Sequence, residues 1–133
     1  MQGDEKDTVD FAMWGVWAHF FIASAHGTTH LTLGVPLAVW QMSFIGIVIV
    51  ALPVVGLMIM LNQDRKLGAA IITVSMFASL AFGVLFHFVL NTPDNICGLA
   101  QTMWTPPFVA TAILVMLSEI AGTVLGFRVW KEE

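Results

Sequence analysis

The chain has 133 residues, of which 58% are hydrophobic and 11% charged, with a mean hydropathy of +0.86 and a formal net charge of −4. Soluble domains carry about 25% charged residues, so this balance excludes an ordinary soluble domain and indicates an integral membrane protein. The negative charge argues against nucleic acid as a partner, and the five Lys and Arg form no polybasic lipid-binding patch.

Four apolar stretches reach the roughly 20 residues that a helix needs to cross a hydrocarbon core. They run from about Val9 to His30, Pro36 to Leu61, Leu67 to Leu90 and Pro107 to Trp130. The first follows an acidic leader containing Asp4, Glu5, Asp7 and Asp10. Ala23-Ser24-Ala25 has the small-residue pattern of a signal-peptidase site, but the acidic flank and His19 make it helix interior. The second contains Pro53, which is expected to kink it, and Gly46 and Gly56, which admit close neighbours. A short turn carrying Arg65 and Lys66 leads to the third, where Ser75, Ser79 and Gly83 repeat every four residues. Ser118, Gly122 and Gly126 do the same in the fourth, and small residues at this spacing let membrane helices approach closely.

Lys6, Arg65, Lys66, Arg128 and Lys131 all fall on one side of the membrane that these stretches imply. The other two connections, His26 to Pro36 and Asn91 to Pro107, hold no Lys or Arg. Cytoplasmic loops carry the excess of cations, so both termini are expected in the cytoplasm, in a plasma or inner membrane. The expected fold is all-α: one domain spanning residues 1–133, an antiparallel four-helix transmembrane bundle. The connection after the third helix, about sixteen residues long, exceeds the usual length in bundles, and long loops are often functional.

His19, His26 and His30 are spaced seven and four residues apart, so on one helix they share a face within roughly 40°. Ionisable residues in a membrane helix are functional-site candidates. Helix rise and topology place His19 level with Glu119 at mid-depth, while His26, His30 and His87 gather near the cation-free face, with Asp94 and Cys97 in the loop above. Gly27-Thr28-Thr29 is a possible helix end, which would take His30 out of the row.

For the outer group two cofactor readings follow. One is a transition metal, copper, zinc or iron, held by His26, His30 and His87 with Asp94 or Cys97 as a further ligand. The other is haem b between His87 and His26 or His19; covalent haem is excluded because there is no Cys-x-x-Cys-His. For the middle group, Glu119 and His19 read as a proton relay, a coupling pair or a polar packing lock, with Gln41 as another candidate partner. Hydrolytic motifs are absent, and nothing supplies an oxyanion site for a Cys97–His87 pair. The eight Met residues are scattered and read as packing.

The segment Ala25-His26-Gly27-Thr28-Thr29-His30-Leu31-Thr32-Leu33-Gly34 resembles the histidine-bearing helix junction of the haem-copper oxidase catalytic subunit. The resemblance covers about ten residues, and the chain is too short to be that subunit. It implies a small electron-transfer or accessory subunit of a membrane redox complex, more a non-catalytic part than an enzyme, with His26 and His30 as ligand positions. Accessory subunits of copper membrane monooxygenases are similar in size. Two other functions fit the composition: a homo-oligomeric proton-coupled transporter working through Glu119, and a purely structural membrane subunit. Small multidrug transporters resemble the chain in size and helix count, although their essential Glu lies in the first helix.

Overall fold

The computed structural model describes residues 2–132, with side chains from Asp7 onward; the side chains of Asp4, Glu5 and Lys6 lie outside the described residues. The chain is all-helical, and four long helices make up nearly all of it: α1 (Gln2–Leu33), α2 (Val39–Asn62), α3 (Arg65–Val89) and α4 (Thr105–Glu132). The last three are long and apolar enough to cross a membrane, whereas the expectation was four such helices. The difference lies in α1, whose polar histidine row dilutes an otherwise apolar segment.

Helix ends follow local chemistry. Gly34, at φ +65°, closes α1: its N–H bonds to Leu31 O and the Val35 N–H to His30 O. This pair of bonds is the Schellman cap that a left-handed glycine permits. The cap keeps His30 helical, and Gly27-Thr28-Thr29 does not end α1. The Thr28 and Thr29 hydroxyls donate to Ser24 O and His26 O instead, as threonines do inside apolar helices. At the start of α2 the Ala38 N–H donates to Gln41 Oε1. Gln41 is therefore a capping residue and not a partner for the mid-depth group. Asp64 Oδ1 accepts the Leu67 N–H and caps α3.

Both apolar inner helices contain π-turns, at Ile45–Ala51 in α2 and Leu85–Val89 in α3. The first ends just before Pro53, which has no N–H for the carbonyl four residues earlier, that of Ile49. The wider turn is the local answer to that missing bond.

α1 packs on α4, α4 on α3, and α3 on α2. Thr8 Oγ1 donates to Glu132 Oε1 across 3.5 Å, and Lys66 Nζ lies 5.7 Å from the Trp130 ring centre. The start of α1, the end of α4 and the start of α3 thus meet at one end, which holds the described cations. An apolar core of Ala12, Val16, Leu57, Met60, Ala69, Ile72, Met76 and Val129 fills that end. The buried polar residues His26, Thr29, His30, His87, Asp94 and Thr105 gather at the other. Large apolar side chains such as Phe11, Trp14, Phe21 and Phe77 face outward, and Trp17 is also exposed.

The small-residue rows are helix contacts. Added methyl groups at Gly122 and Gly126 of α4 would meet Met76 Cε at 2.9 Å and Thr73 Oγ1 at 2.7 Å on α3. α2 and α3 approach closest at Gly56 and Gly68, where a methyl on Gly68 would strike Met60 N and lie 2.5 Å from Gly56 O. Gly46 has open space around it and plays no such part. Gly68→Ala is expected to destabilise the protein by about 1–3 kcal/mol through backbone overpacking, and Gly46→Ala to be tolerated. Thermal unfolding in detergent compares the two.

Candidate metal centre

The polar end is organised by hydrogen bonds from several elements. Thr111 Oγ1 lies 2.8 and 3.0 Å from the carbonyls of Pro107 and Phe108, which compete for its one proton, and 2.9 Å from His26 Nδ1. His87 Nδ1–H donates to the backbone oxygen of Asp94 at 3.1 Å, because a carbonyl only accepts. In a neutral imidazole with Nδ1 protonated, Nε2 carries the lone pair. His26 Nε2 and His87 Nε2 face each other at 3.2 Å.

His30 completes the group. Its Nδ1 stands 3.4 Å from Asp94 Oδ1, close enough for an ion pair but without hydrogen-bond geometry. His26, His30 and His87 are all buried, and one ligand atom from each lies within 4.8 Å of the others. Two nitrogens on one tetrahedral ion, at bonds of 2.0–2.1 Å, lie about 3.3 Å apart. The 3.2 Å between His26 and His87 matches that separation. With His26 protonated at Nδ1 both Nε2 atoms offer a lone pair, and one cation can bond to both.

Phe108, fully buried at the start of α4, holds the rings in place, with its centroid 4.8 Å from both His26 and His30 and 5.6 Å from His87. The loop after α3 is folded back by three bonds: Thr92 Oγ1–H to Phe86 O, Asn95 Nδ2–H to Leu90 O, and Ile96 N–H to His87 O. These bonds set Asp94 behind two histidines at once. Burial pushes the Asp94 carboxyl above its ordinary range, with nearby His87 acting the other way.

Several expected site residues take other positions. Asp94 is not placed among the ligand atoms; it touches the Nδ1 side of His30 and His87 and orients both. Cys97 is exposed, its N–H bonded to Asn95 Oδ1, and among the described residues the ligand group holds only the three histidines. The reason is loop geometry: the turn that buries Asp94 sends the chain outward before Cys97.

His19 belongs to another layer. Its Nε2–H donates to Ile49 O at 3.0 Å, the carbonyl that Pro53 leaves without its usual donor, and its Nδ1 pairs with Ser118 Oγ at 3.0 Å. Both nitrogens are used, so His19 is unavailable as a haem or metal ligand. It joins α1 to α2 and α4. Glu119 lies next in sequence to Ser118 but makes no hydrogen bond to His19; both its oxygens, although buried, have no hydrogen-bond partner.

A cavity of about 140 Å³ connects the layers, lined by His26, His30 and His87 toward one end and by Ile49, Gly83 and Glu119 toward the other. Thr111 and Phe108 were not legible as site residues. Their only signal was position, at the start of α4 where α1's histidines arrive. No protein-family model, curated protein or solved structure matches the chain.

His19→Ala is expected to cost about 1–3 kcal/mol by leaving a buried carbonyl unanswered, without changing how many metal ions the protein binds. Thermal unfolding and metal analysis of the same samples separate the two effects.

Proposed function

We propose that the protein is an integral membrane protein that binds one transition-metal ion through the Nε2 atoms of His26, His30 and His87. The observation that carries this reading is the arrangement of nitrogens: the Nδ1 sides of all three rings face oxygen atoms, and the Nε2 atoms of His26 and His87 stand 3.2 Å apart with a ligand atom of His30 beside them. Oxygen partners behind metal-bound histidines fix ring orientation and raise ligand basicity. Three protein ligands with space beside them leave a position for water or a substrate, the pattern of reactive and not of structural sites. Here that space is the cavity running toward Glu119.

In this reading the four helices form an antiparallel bundle in the plasma or inner membrane. Both termini and the cations are cytoplasmic, and the metal lies toward the outer face. An all-imidazole set suits copper, zinc or iron. The oxidase-like segment around His26 and His30 favours a redox-active ion, and with it a place in electron transfer beside other membrane subunits or a second copy. The single-ion reading is preferred to haem b. Axial nitrogens of one haem stand on opposite faces of the macrocycle, roughly 4 Å apart at bonds of about 2 Å. The 3.2 Å spacing and the Phe108 ring packed on all three imidazoles leave no slot for that plane.

The test is elemental analysis of the purified protein after loading with Co²⁺, Zn²⁺ or Cu²⁺, with the Co²⁺ visible spectrum as a report on geometry. One ion per chain, lost in His26→Ala and His87→Ala and unaccompanied by a Soret band, is the expected result. No stoichiometric metal from any of the three ions would reject the proposal. Asp94→Ala should weaken affinity by about 10–100-fold, the usual effect of losing a residue that orients metal-bound histidines. Cys97→Ser should leave affinity unchanged, and both are read from the same Co²⁺ titration.

A further inference from the structure

Among the described residues, Glu119 is the one buried ionisable group that the metal centre leaves unexplained. It is 1% exposed, and Ser79 of α3 is the polar neighbour of its carboxyl, although neither carboxyl oxygen nor the Ser79 hydroxyl reaches full hydrogen-bond geometry with a partner. Its Oε2 faces Gly83 of α3, where an added methyl would lie 3.7 Å away, so the missing side chain leaves it room. It lines the same cavity as the three histidines. The titratable group facing it from α1 is His19, whose two nitrogens are taken by Ile49 O and Ser118. α2 contributes only apolar residues to the cavity, no Lys or Arg lines it, and across it stand His26, His30, His87 and Asp94.

An isolated carboxylate in such surroundings is costly, and the neutral acid is the form that needs no counter-charge. A divalent ion changes the balance. Three neutral imidazoles keep their Nδ1 protons when Nε2 binds the ion, so coordination itself neutralises nothing. Asp94 offers at most one negative charge. The metal would leave uncompensated positive charge at the end of a water-poor cavity, about eight residues or ~12 Å along α4 from Glu119, a distance over which charges still interact where screening is weak.

We infer that Glu119 is the counter-charge of the metal centre, a carboxylic acid in the metal-free protein that gives up its proton when the ion binds. The step is balanced: the acid becomes carboxylate plus a proton released to solvent, and the divalent ion is bound by three lone pairs. Metal binding and protonation of Glu119 then oppose each other, so a proton entering at Glu119 weakens the ion's hold. This inference rests on the tri-histidine reading and adds to it a metal–proton exchange.

The test is calorimetric titration with Zn²⁺ near neutral pH in two buffers of different ionisation enthalpy, on wild type and Glu119→Gln. Both proteins should bind one Zn²⁺, and wild type should release about one proton more per ion than the variant. Any proton contributed by Asp94 is common to both and cancels. Equal proton counts with intact Zn²⁺ binding would overturn the exchange while leaving the metal centre standing. No Zn²⁺ binding by wild type would overturn both. A second measurement needs no variant: the infrared difference spectrum of wild type, Zn²⁺-loaded minus metal-free, should show loss of a deuterium-sensitive carboxylic acid carbonyl band. Absence of that loss would count against the inference even if Glu119→Gln fails to fold.

Discussion

Inside an apolar bundle a polar group that loses its partner must find another within the protein, because no water stands ready to take its place. The arrangement of the helices turns on one such exchange. Pro53 denies the Ile49 carbonyl its usual helical donor, α2 widens into a π-turn, and His19 of α1 supplies an N–H instead. With Ser118 on the second ring nitrogen, this imidazole sets the register of α1 against α2 and α4 together. Seven residues on, the same face of α1 delivers His26 to Thr111, and four further delivers His30 to Asp94. His19 is thus a structural pin from which His26 and His30 are placed, and both its nitrogens are spent in that role.

Asp94 has the corresponding part at the other end. One residue uses its backbone oxygen to hold His87 and its carboxyl to face His30, so a single loop position meets histidines from two helices. This economy explains why the loop after α3 is long yet tightly bonded back to α3's last carbonyls. It also explains the division of the interior. Where apolar side chains fill the cation-bearing end the helices touch through Gly and Ala, and where the polar residues gather a cavity remains.

Much of this was legible in the chain. The all-helical class, the places of α2, α3 and α4, and the grouping of His26, His30 and His87 follow from hydropathy and periodicity, whereas the surroundings of the small-residue row of α4, packed on Met76 and Thr73 of α3, do not. The errors have local causes. Gly27 and two threonines leave it open in the sequence whether α1 ends before His30, and the cap settles it, because it needs a left-handed residue and only Gly34 supplies one. Gln41 reads as a candidate partner for the His19–Glu119 group because it is polar within an apolar stretch, but its bond to the Ala38 N–H depends on a local cap that the pattern does not show. Asp94 and Cys97, three residues apart, looked equally able to bind metal, and only the path of the loop separates them.

Hydropathy and periodicity depend on neighbours along one helix, which is why the sequence by itself determined the helical class, the polar row on α1 and the level along its helix at which each ionisable residue falls. Tertiary structure alone decided what each histidine nitrogen meets, because the partners come from other elements: Thr111 and Ser118 of α4, the Asp94 carbonyl and carboxyl, and the Ile49 carbonyl exposed by Pro53. It also decided that Glu119, level with His19, is left without a partner at one end of the cavity whose other end is lined by the three histidines.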